Sequence, residues 1–489
     1  MAFHGRQREL AMLDEAYRRD KAQLFVMYGR RGVGKTALLG HWLRSRKCLH
    51  IFWTADQRPA GVLLRVFSQA IMTYRQPSQP IAAGATYFDW DQAFIELGQM
   101  AQTERLVVVL DEFTYLMASD PSLPSILQRL WDHNLKHTHL MLVITGSHAG
   151  MIERDLLSYR APLYHRFTAA LHLSPIPYGS LADFLPGFTP AERVEIHACL
   201  GGVPAYLELV DTSLTWRENL PKLLTSKLII NDAGALLRDQ LSDPGQYMAV
   251  VDAVASGFEQ FTEVITMAKV TDVQLVRYTN VLIQLGILTR DVPATQTNPA
   301  KSRLGRYRVT DPYLRFYFKF LASQRANLER GIAAGVMKTL TQHLPDFIGA
   351  NTFEELCREY VLLMGAAGRL PFVPRVVGSY WAYRPAQIAG VRPPQIDVVA
   401  INEDAHQIIV GECKWTGEAL KADQVNHLFE QAAKMLPKPT EKWTVTYAFF
   451  CRSGFAPEAK ATAAEADRPC IWVDLKQLDA GLRKFARVE

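Results

Sequence analysis

The chain has 489 residues, 48% of them hydrophobic and 21% charged, with 54 Lys and Arg against 49 Asp and Glu. That length exceeds one ordinary core and implies about two to four domains, in a composition typical of a soluble globular protein. The N-terminal MAFHGRQREL has no apolar stretch and so reads as no signal peptide, no run approaches the ~18 apolar residues of a membrane span, and the six cysteines are single, without a C-x-x-C pair. A zinc site, a disulfide framework and a membrane partner are therefore not expected, and a cytoplasmic location is. The net charge of +5 permits nucleic-acid binding without demanding it.

The first ~240 residues alternate apolar strands with helical patterns, the mark of an α/β layer structure. Strands are predicted at 23–28, 49–54, 106–110, 140–145 and 168–173, as continuous apolar runs suited to a parallel sheet buried on both faces. Helices follow over 191–209, 216–237 and 244–288, the last broken near Gly257 and Thr271, and then two short strands at 287–292 and 306–310. An aromatic helix over 312–326 carries Tyr313, Phe316, Tyr317 and Phe320 at core-packing spacing, and the polar stretch 324–330 is the expected linker. From Phe353 the order is helix, three strands, helix, strand, helix, strand, helix.

The first strand runs into Gly29-Arg30-Arg31-Gly32-Val33-Gly34-Lys35-Thr36, and a helix opens at Ala37. This is G-x-x-x-x-G-K-[ST] in its strand–loop–helix setting. Gly29, Gly32, Val33, Gly34, Lys35, Thr36 and Ala37 are the candidate nucleotide-binding residues. The glycines let backbone N–H groups turn toward phosphates, Lys35 can reach the β- and γ-phosphates, and the Thr36 hydroxyl can ligate Mg²⁺. The strand Leu106-Val107-Val108-Val109-Leu110 ends in Asp111-Glu112. Asp111 is the expected water-mediated Mg²⁺ ligand and Glu112 the base that polarises the attacking water. A third strand ends in Thr145-Gly146-Ser147, where Ser147 either faces the γ-phosphate or caps a helix; the two readings are compatible.

Phe3-His4-Gly5-Arg6, the P-loop, Asp111-Glu112, Thr145-Gly146-Ser147, Leu163-Tyr164-His165-Arg166 and Gly201-Gly202-Val203-Pro204 occur in that order. Together they resemble the archaeal-type ATPase family, a STAND/AAA-like branch of P-loop ATPases, over essentially the whole chain. The resemblance implies ATP and Mg²⁺ as cofactors and an adenine-side role for Phe3, Gly5 and Arg6. It also implies a G-x-P turn that brings Pro204 against the nucleotide; the plain reading is a turn before a helix. Arg166 is implied as an arginine finger, although His165 stands where the family usually has Gly; the alternative is an ordinary surface salt bridge.

Helices followed by a two-stranded wing suggest a winged helix over about 245–325. Its tip holds Lys301, Arg303, Arg306 and Arg308 around Tyr307, either to meet a phosphate backbone or as a solvated face. Further on, Asp397 lies near the start of one strand, and Glu412 and Lys414 share a face of the next, fifteen residues later. This is the spacing of a PD-(D/E)XK nuclease, with Asp397 and Glu412 as Mg²⁺ ligands, Lys414 activating water, Glu354 or Glu355 as the helical acid and Gln424 on the following helix. The bland alternative is an edge-strand salt bridge.

The expected architecture is α/β: a P-loop ATPase parallel sheet at 1–180, a helical subdomain at 181–243, the winged helix at 244–325 and a restriction-endonuclease-like α/β domain at 335–489. The expected function is an ATPase acting on DNA, with ATP gating a Mg²⁺-dependent nuclease. The alternative is an ATP-switched scaffold whose nuclease-like domain only grips nucleic acid or protein. DNA is the expected partner, and self-association is left open.

Overall fold

The computed structural model describes residues 3–241, 243–382, 393–436 and 440–486. The chain divides into two compact units, Met1–Pro175 with Val203–Ala205, and Ile176–Gly202 with Tyr206–Glu489.

The first unit is built on β1 (Gln23–Tyr28), β2 (His50–Thr54), β3 (Leu106–Asp111), β4 (Leu140–Gly146) and β5 (Ala169–His172), all parallel in the order β2-β3-β4-β1-β5. Side chains alternate between the faces of a strand, so each strand feeds two cores. Leu24, Val26, Val108, Leu110, Leu142 and Ile144 pack with Phe67, Phe94 and Leu127 on one face. Phe25, Met27, Val107, Val109, Met141 and Val143 pack with Leu38, Leu39 and Trp42 on the other. Burial on both faces is why these strands read as unbroken apolar runs. The register sets Tyr28 opposite Gly146 and Thr54 opposite Asp111, so the segments leaving β1, β3 and β4 emerge at one edge.

The second unit holds three helices, Pro244–Ala255, Phe261–Ala268 and Asp272–Gln284, followed by the antiparallel pair β6 (Leu288–Asp291) and β7 (Arg306–Val309). Its larger sheet has the order β12-β11-β10-β9-β8, from β8 (Val376–Trp381), β9 (Gln395–Asn402), β10 (Gln407–Lys414), β11 (Thr444–Cys451) and β12 (Cys470–Asp474). β8, β9 and β10 are antiparallel; β10, β11 and β12 are parallel. The helix Ala422–Met435 packs its Val425, Leu428 and Phe429 on one face of this sheet, in the helix and strand order read from the sequence.

Several predicted elements are divided. The helix expected over 191–209 is two, Pro190–Leu200 and Pro204–Leu207, because Gly201 turns at φ 63° and a Cβ on Gly202 would lie 1.8 Å from the Ile176 carbonyl oxygen. The helix expected over 216–237 is parted between Trp216–Leu224 and Lys227–Gln240. The aromatic helix relaxes after Phe316 into a wider turn over Tyr317–Leu321, with its aromatic rings buried as expected. Within the stretch 324–330, Arg325–Glu329 is helical, fixed by an Arg325–Glu329 ion pair at 2.8 Å and by Leu328, which is buried.

Within this unit a buried ion pair ties residues far apart in sequence. Arg193 Nη2 lies 2.7 Å from Asp479 Oδ2, the side chains only 8% and 6% exposed. Tyr178 donates to Asp479 Oδ1 at 2.9 Å, and a Cβ on Gly179 would meet the Leu482 carbonyl oxygen at 2.3 Å. The terminal helix Leu475–Ala486 is thereby fastened to the helix Pro190–Leu200. Removing one partner leaves a buried charge uncompensated, so Asp479→Ala is expected to cost about 3–5 kcal/mol. Denaturant unfolding checks this: a loss below about 1 kcal/mol, the scale of an exposed pair, would show that the pair is not structural.

Candidate functional site

Three glycines shape the loop after β1. Gly29, Gly32 and Gly34 have φ of 154°, 83° and 93°, and a Cβ on Gly29 would fall 2.3 Å from the Leu173 carbonyl oxygen. Only glycine meets both demands at that position. The helix Lys35–Arg46 follows, with its first backbone bond from Leu38 N to Gly34 O at 2.8 Å. The N–H groups of Lys35, Thr36 and Ala37 precede that bond at the positive end of the helix. Lys35 is 5% exposed, and its Nζ donates to Gly29 O at 2.8 Å and Arg30 O at 3.2 Å. Burial holds its ammonium below the usual range, against the pull of Glu112 and Asp111. A cradle that excludes Cβ atoms, a row of N–H donors and a buried cation fit a polyphosphate.

Asp111, buried at the end of β3, accepts from three hydroxyls: Thr36 Oγ1 at 3.1 Å, Thr54 Oγ1 at 3.4 Å and Thr145 Oγ1. Glu112 takes the left-handed backbone at φ 55°, uncommon for a residue with a side chain. Its N–H donates to Thr145 Oγ1 at 3.1 Å, and its carboxylate accepts from Ser147 N at 3.1 Å and Ser147 Oγ at 2.7 Å. Ser147 thus holds Glu112. It does not cap the helix Ala149–Ile152, whose N-cap is His148. Thr36 and Asp111 present oxygen donors of the kind Mg²⁺ prefers. Thr54 was not read from the sequence; its one signal is a hydroxyl closing the apolar strand beside Asp111.

Phe3 stacks on His41 with ring centroids 4.2 Å apart, and Gly5 turns at φ 69°. Arg6 Nη2 donates to Val33 O at 3.2 Å and Ser174 O at 2.7 Å, so this segment braces the P-loop. Ala205 N donates to Gly32 O at 3.3 Å, and Pro204 lies 3.8 Å from where a Gly34 Cβ would stand. Arg166 is elsewhere. β5 pairs with β1 from Phe25 opposite Ala169, so residues before 169 flank the start of β1, the end of the sheet away from the P-loop. Its guanidinium pairs with Asp132 at 2.9 Å and donates to Tyr164 O at 3.0 Å. An arginine finger acting on this chain's own nucleotide site is therefore corrected to a salt bridge.

In the second unit, Val398 pairs with Gly411, which brings Asp397 beside Glu412. Asp397 Oδ2 accepts from Cys413 N at 2.9 Å, and Lys414 Nζ pairs with Glu412. Glu354 accepts from Arg358 Nη1 at 3.2 Å, and the same nitrogen donates to Asp397 O at 2.8 Å. Burial, and then Glu412, push Asp397 up to about 7. Burial, and then Asp397, push Glu354 well above the carboxylate range. Lys414 is depressed by burial, but Glu412 outweighs that and holds it above its usual value. Glu354, Asp397, Glu412 and Lys414 line one groove, so Glu354 and not Glu355 is the acid at this site. Gln424 is not among the lining residues: it accepts from Lys421 N at 3.0 Å in a helix cap, and His427 and Gln431 face the groove instead. Among the described residues no group of three or more His, Cys, Asp or Glu is gathered as a metal site. The carboxylate oxygens still suit a hard cation in kind, and two acids driven toward protonation by burial are what such a cation relieves.

The basic residues in and before β7 are also reassigned. Arg308 pairs with Asp291 at 2.7 Å and with Glu355, and Arg306 lies over the Trp381 ring at 4.6 Å. Lys301 and Arg303 remain exposed. Of the four basic residues expected on a phosphate backbone, two are turned into the protein by acidic and aromatic partners.

A glycine-lined loop, a buried lysine and an acid-tipped strand in a parallel sheet define a P-loop nucleotide-binding protein. Residues 3–210 match the family described as an ATPase domain predominantly from Archaea, and residues 317–428 match a family of archaeal and bacterial proteins of unknown function. Residues 3–210 thus belong to this archaeal ATPase family. It is 28% identical over 415 residues to an uncharacterized protein of Methanocaldococcus jannaschii, covering 84% of this chain and 87% of the relative. A segment of 45 residues is 42% identical to an uncharacterized ATP-binding protein of the same organism, covering 9% of this chain and 76% of that one. The fold is similar to that of the Walker-type ATPase of Pyrococcus abyssi, with a TM-score of 0.51 and 18% identity over 65% of this chain and 96% of that one. Among the described residues no helix is long and apolar enough to cross a membrane.

The raised acid gives a test independent of activity. Because Asp397 titrates at about 7 in the fold and near 3.8 when unfolded, the folded chain binds more protons between those values. Its contribution to stability therefore falls as pH rises through that window. In EDTA at pH 8, Asp397→Asn is expected to raise Tm by about 2–4 °C, and at pH 4 by little. A scan showing an equal or lower Tm at pH 8 would mean that Asp397 is compensated in the folded state.

Proposed function

We propose that this ATPase binds and hydrolyses ATP with Mg²⁺ and uses it to govern a Mg²⁺-dependent nuclease acting on DNA. In this reading the second unit comprises a helical subdomain, a winged helix and a PD-(D/E)XK nuclease-like domain. The observation that carries it is the set Glu354, Asp397, Glu412 and Lys414 along one groove. Acids such as Glu354 and Asp397, raised first by burial and then by a neighbouring acid, are characteristic of functional sites when they lie in a cleft, and as stabilising devices they are poor.

At the first site, backbone N–H groups and Lys35 would orient the phosphates, with Phe3, Gly5, Arg6 and Pro204 bordering the nucleotide. Thr36 and Asp111 would hold Mg²⁺, which when bound neutralises charge on the phosphates. Glu112, oriented by Ser147, would accept the proton of the attacking water. At the second site, Asp397 and Glu412 would hold a cation at the scissile phosphate, and Lys414 would steady the developing charge. The scaffold reading has one supporting observation: Lys414 already neutralises Glu412.

Lys35→Ala should abolish nucleotide binding, whereas Glu112→Gln should bind ATP with near-normal affinity and turn over at least ~100-fold more slowly. Equal turnover by Glu112→Gln and wild type removes Glu112 from the base role. Arg166 could serve only a second copy of the chain; mixing Arg166→Ala with Lys35→Ala subunits should then restore turnover, and no restoration leaves it a salt bridge.

Cleavage is tested by nicking of supercoiled DNA with Mg²⁺ or Mn²⁺ in each nucleotide state. Asp397→Ala, Glu412→Ala and Lys414→Ala should each reduce nicking by about 100-fold or more while ATP turnover persists. No cleavage by wild type under any condition hands the function to the scaffold reading.

A further inference from the structure

The groove holding the acids has a volume of about 1240 Å³, and the wing lines it too: Arg303, Leu304, Gly305 and Arg306 border it together with Asp397 and Lys414. We infer that this groove takes single-stranded DNA, threaded between the wing tip and the acid cluster; the inference rests on the nuclease-like reading of that same site and names its substrate.

The first reason is that the wing tip is fastened over the groove. Trp381 Nε1 donates to Leu304 O at 2.9 Å, and Arg306 lies on the Trp381 ring at 4.6 Å. From the other side, Arg290 donates to Pro299 O at 3.2 Å and to Ser302 O. A Cβ on Gly305 would stand 2.4 Å from the Arg290 guanidinium, so the loop lies flat on that side chain. At its base, β7 is held by Arg308 on Glu355, which also receives both nitrogens of Arg315 at 2.6 Å. A wing that reads duplex DNA needs its tip free to straddle the phosphate backbone. Here the tip is tied to Trp381, and it borders the same groove as the acids.

The second reason is charge. Of the groove's basic side chains, Arg306 is on Trp381, and Lys414 is on Glu412. Arg303 is exposed, and among the described residues it has no acidic partner. It lines the groove together with a cluster of acids that repels phosphate unless a cation intervenes. Among the described lining residues, one unpaired guanidinium beside a cation-requiring cluster suits one phosphodiester backbone passing along the groove, and is too little for the two backbones of a duplex.

The test uses the full chain with labelled oligonucleotides of one sequence as single strand, blunt duplex and RNA, in Ca²⁺, which supports binding while suppressing cleavage. The single strand is expected to bind at least ~10-fold tighter than the blunt duplex, and Arg303→Ala to weaken it by ~5-fold or more and lower the salt slope by about one. Trp381→Phe, which keeps the ring but frees Leu304, is expected to narrow the preference for single strand. Near-UV circular dichroism confirms that each variant is folded. Equal affinity for blunt duplex, an Arg303→Ala variant that binds single strand normally, or tighter binding of RNA each overturns the inference. Arg303-dependent binding of single strand without cutting in Mg²⁺ leaves this inference standing and removes the nuclease reading; efficient cutting of duplex bound as tightly as single strand does the reverse.

Discussion

Glu355 sits between two arginines from different elements. Arg308 comes from β7 and Arg315 from the helix Pro312–Phe316, and Arg315 is buried. Burial raises the carboxyl, but the two guanidiniums outweigh it, Arg315 foremost, and hold Glu355 below the ordinary carboxylate range. A bidentate carboxylate–guanidinium pair fixes direction as well as distance. β7 is thus set against the helix Glu354–Ala366, and that helix in turn against the sheet that carries Asp397. Glu354 precedes Glu355 by one residue, and successive helical residues point about 100° apart. One acid fastens β7 while its neighbour lines the groove.

The first unit meets the same difficulty, a carboxylate in a dry place, with hydroxyls. Asp111 is surrounded by Thr36, Thr54 and Thr145, each from a different segment at the same sheet edge. Thr145 also receives the Glu112 N–H, so one side chain on β4 sets two consecutive residues at the end of β3. The left-handed backbone at Glu112 turns its side chain toward Ser147, which supplies both a backbone and a hydroxyl donor. Strain at one residue and hydrogen bonds from its neighbours are two parts of one arrangement.

Much of this was legible because the signals are local. Unbroken apolar runs give the five parallel strands, and loop glycines with Lys35 and Thr36 name the phosphate cradle on their own. The errors lie where a charged residue's partner is distant in sequence. Arg308 reads as a free cation until Glu355, 47 residues on, claims it, and Arg306 until Trp381 does. Arg166 reads as a finger until Asp132, 34 residues earlier, accepts its guanidinium. Gln424 has the reverse failing, since its partner is the backbone three residues before it, and capping uses up the carbonyl oxygen that the groove was expected to receive. Counting basic residues in a window measures charge; only the fold assigns its partner.

That distinction also separates structural acids from the others. Asp479 and Glu355 are each met by an arginine in close geometry, so their charges are answered within the fold. Glu354 is the sequence neighbour of Glu355, and Glu354 and Asp397 are similarly enclosed, yet both are driven upward, each with burial first and another acid next. Adjacent residues on one helix thus have opposite electrostatics. A fold that supplies Arg308 and Arg315 to Glu355, while giving Glu354 one shared contact with Arg358, has the means to neutralise a carboxylate and does not use it there. Uncompensated carboxylates raise the free energy of the chain by itself and lower that of any complex that brings a cation to them. The cost to stability and the capacity to bind are then one electrostatic quantity, seen without the ligand and with it.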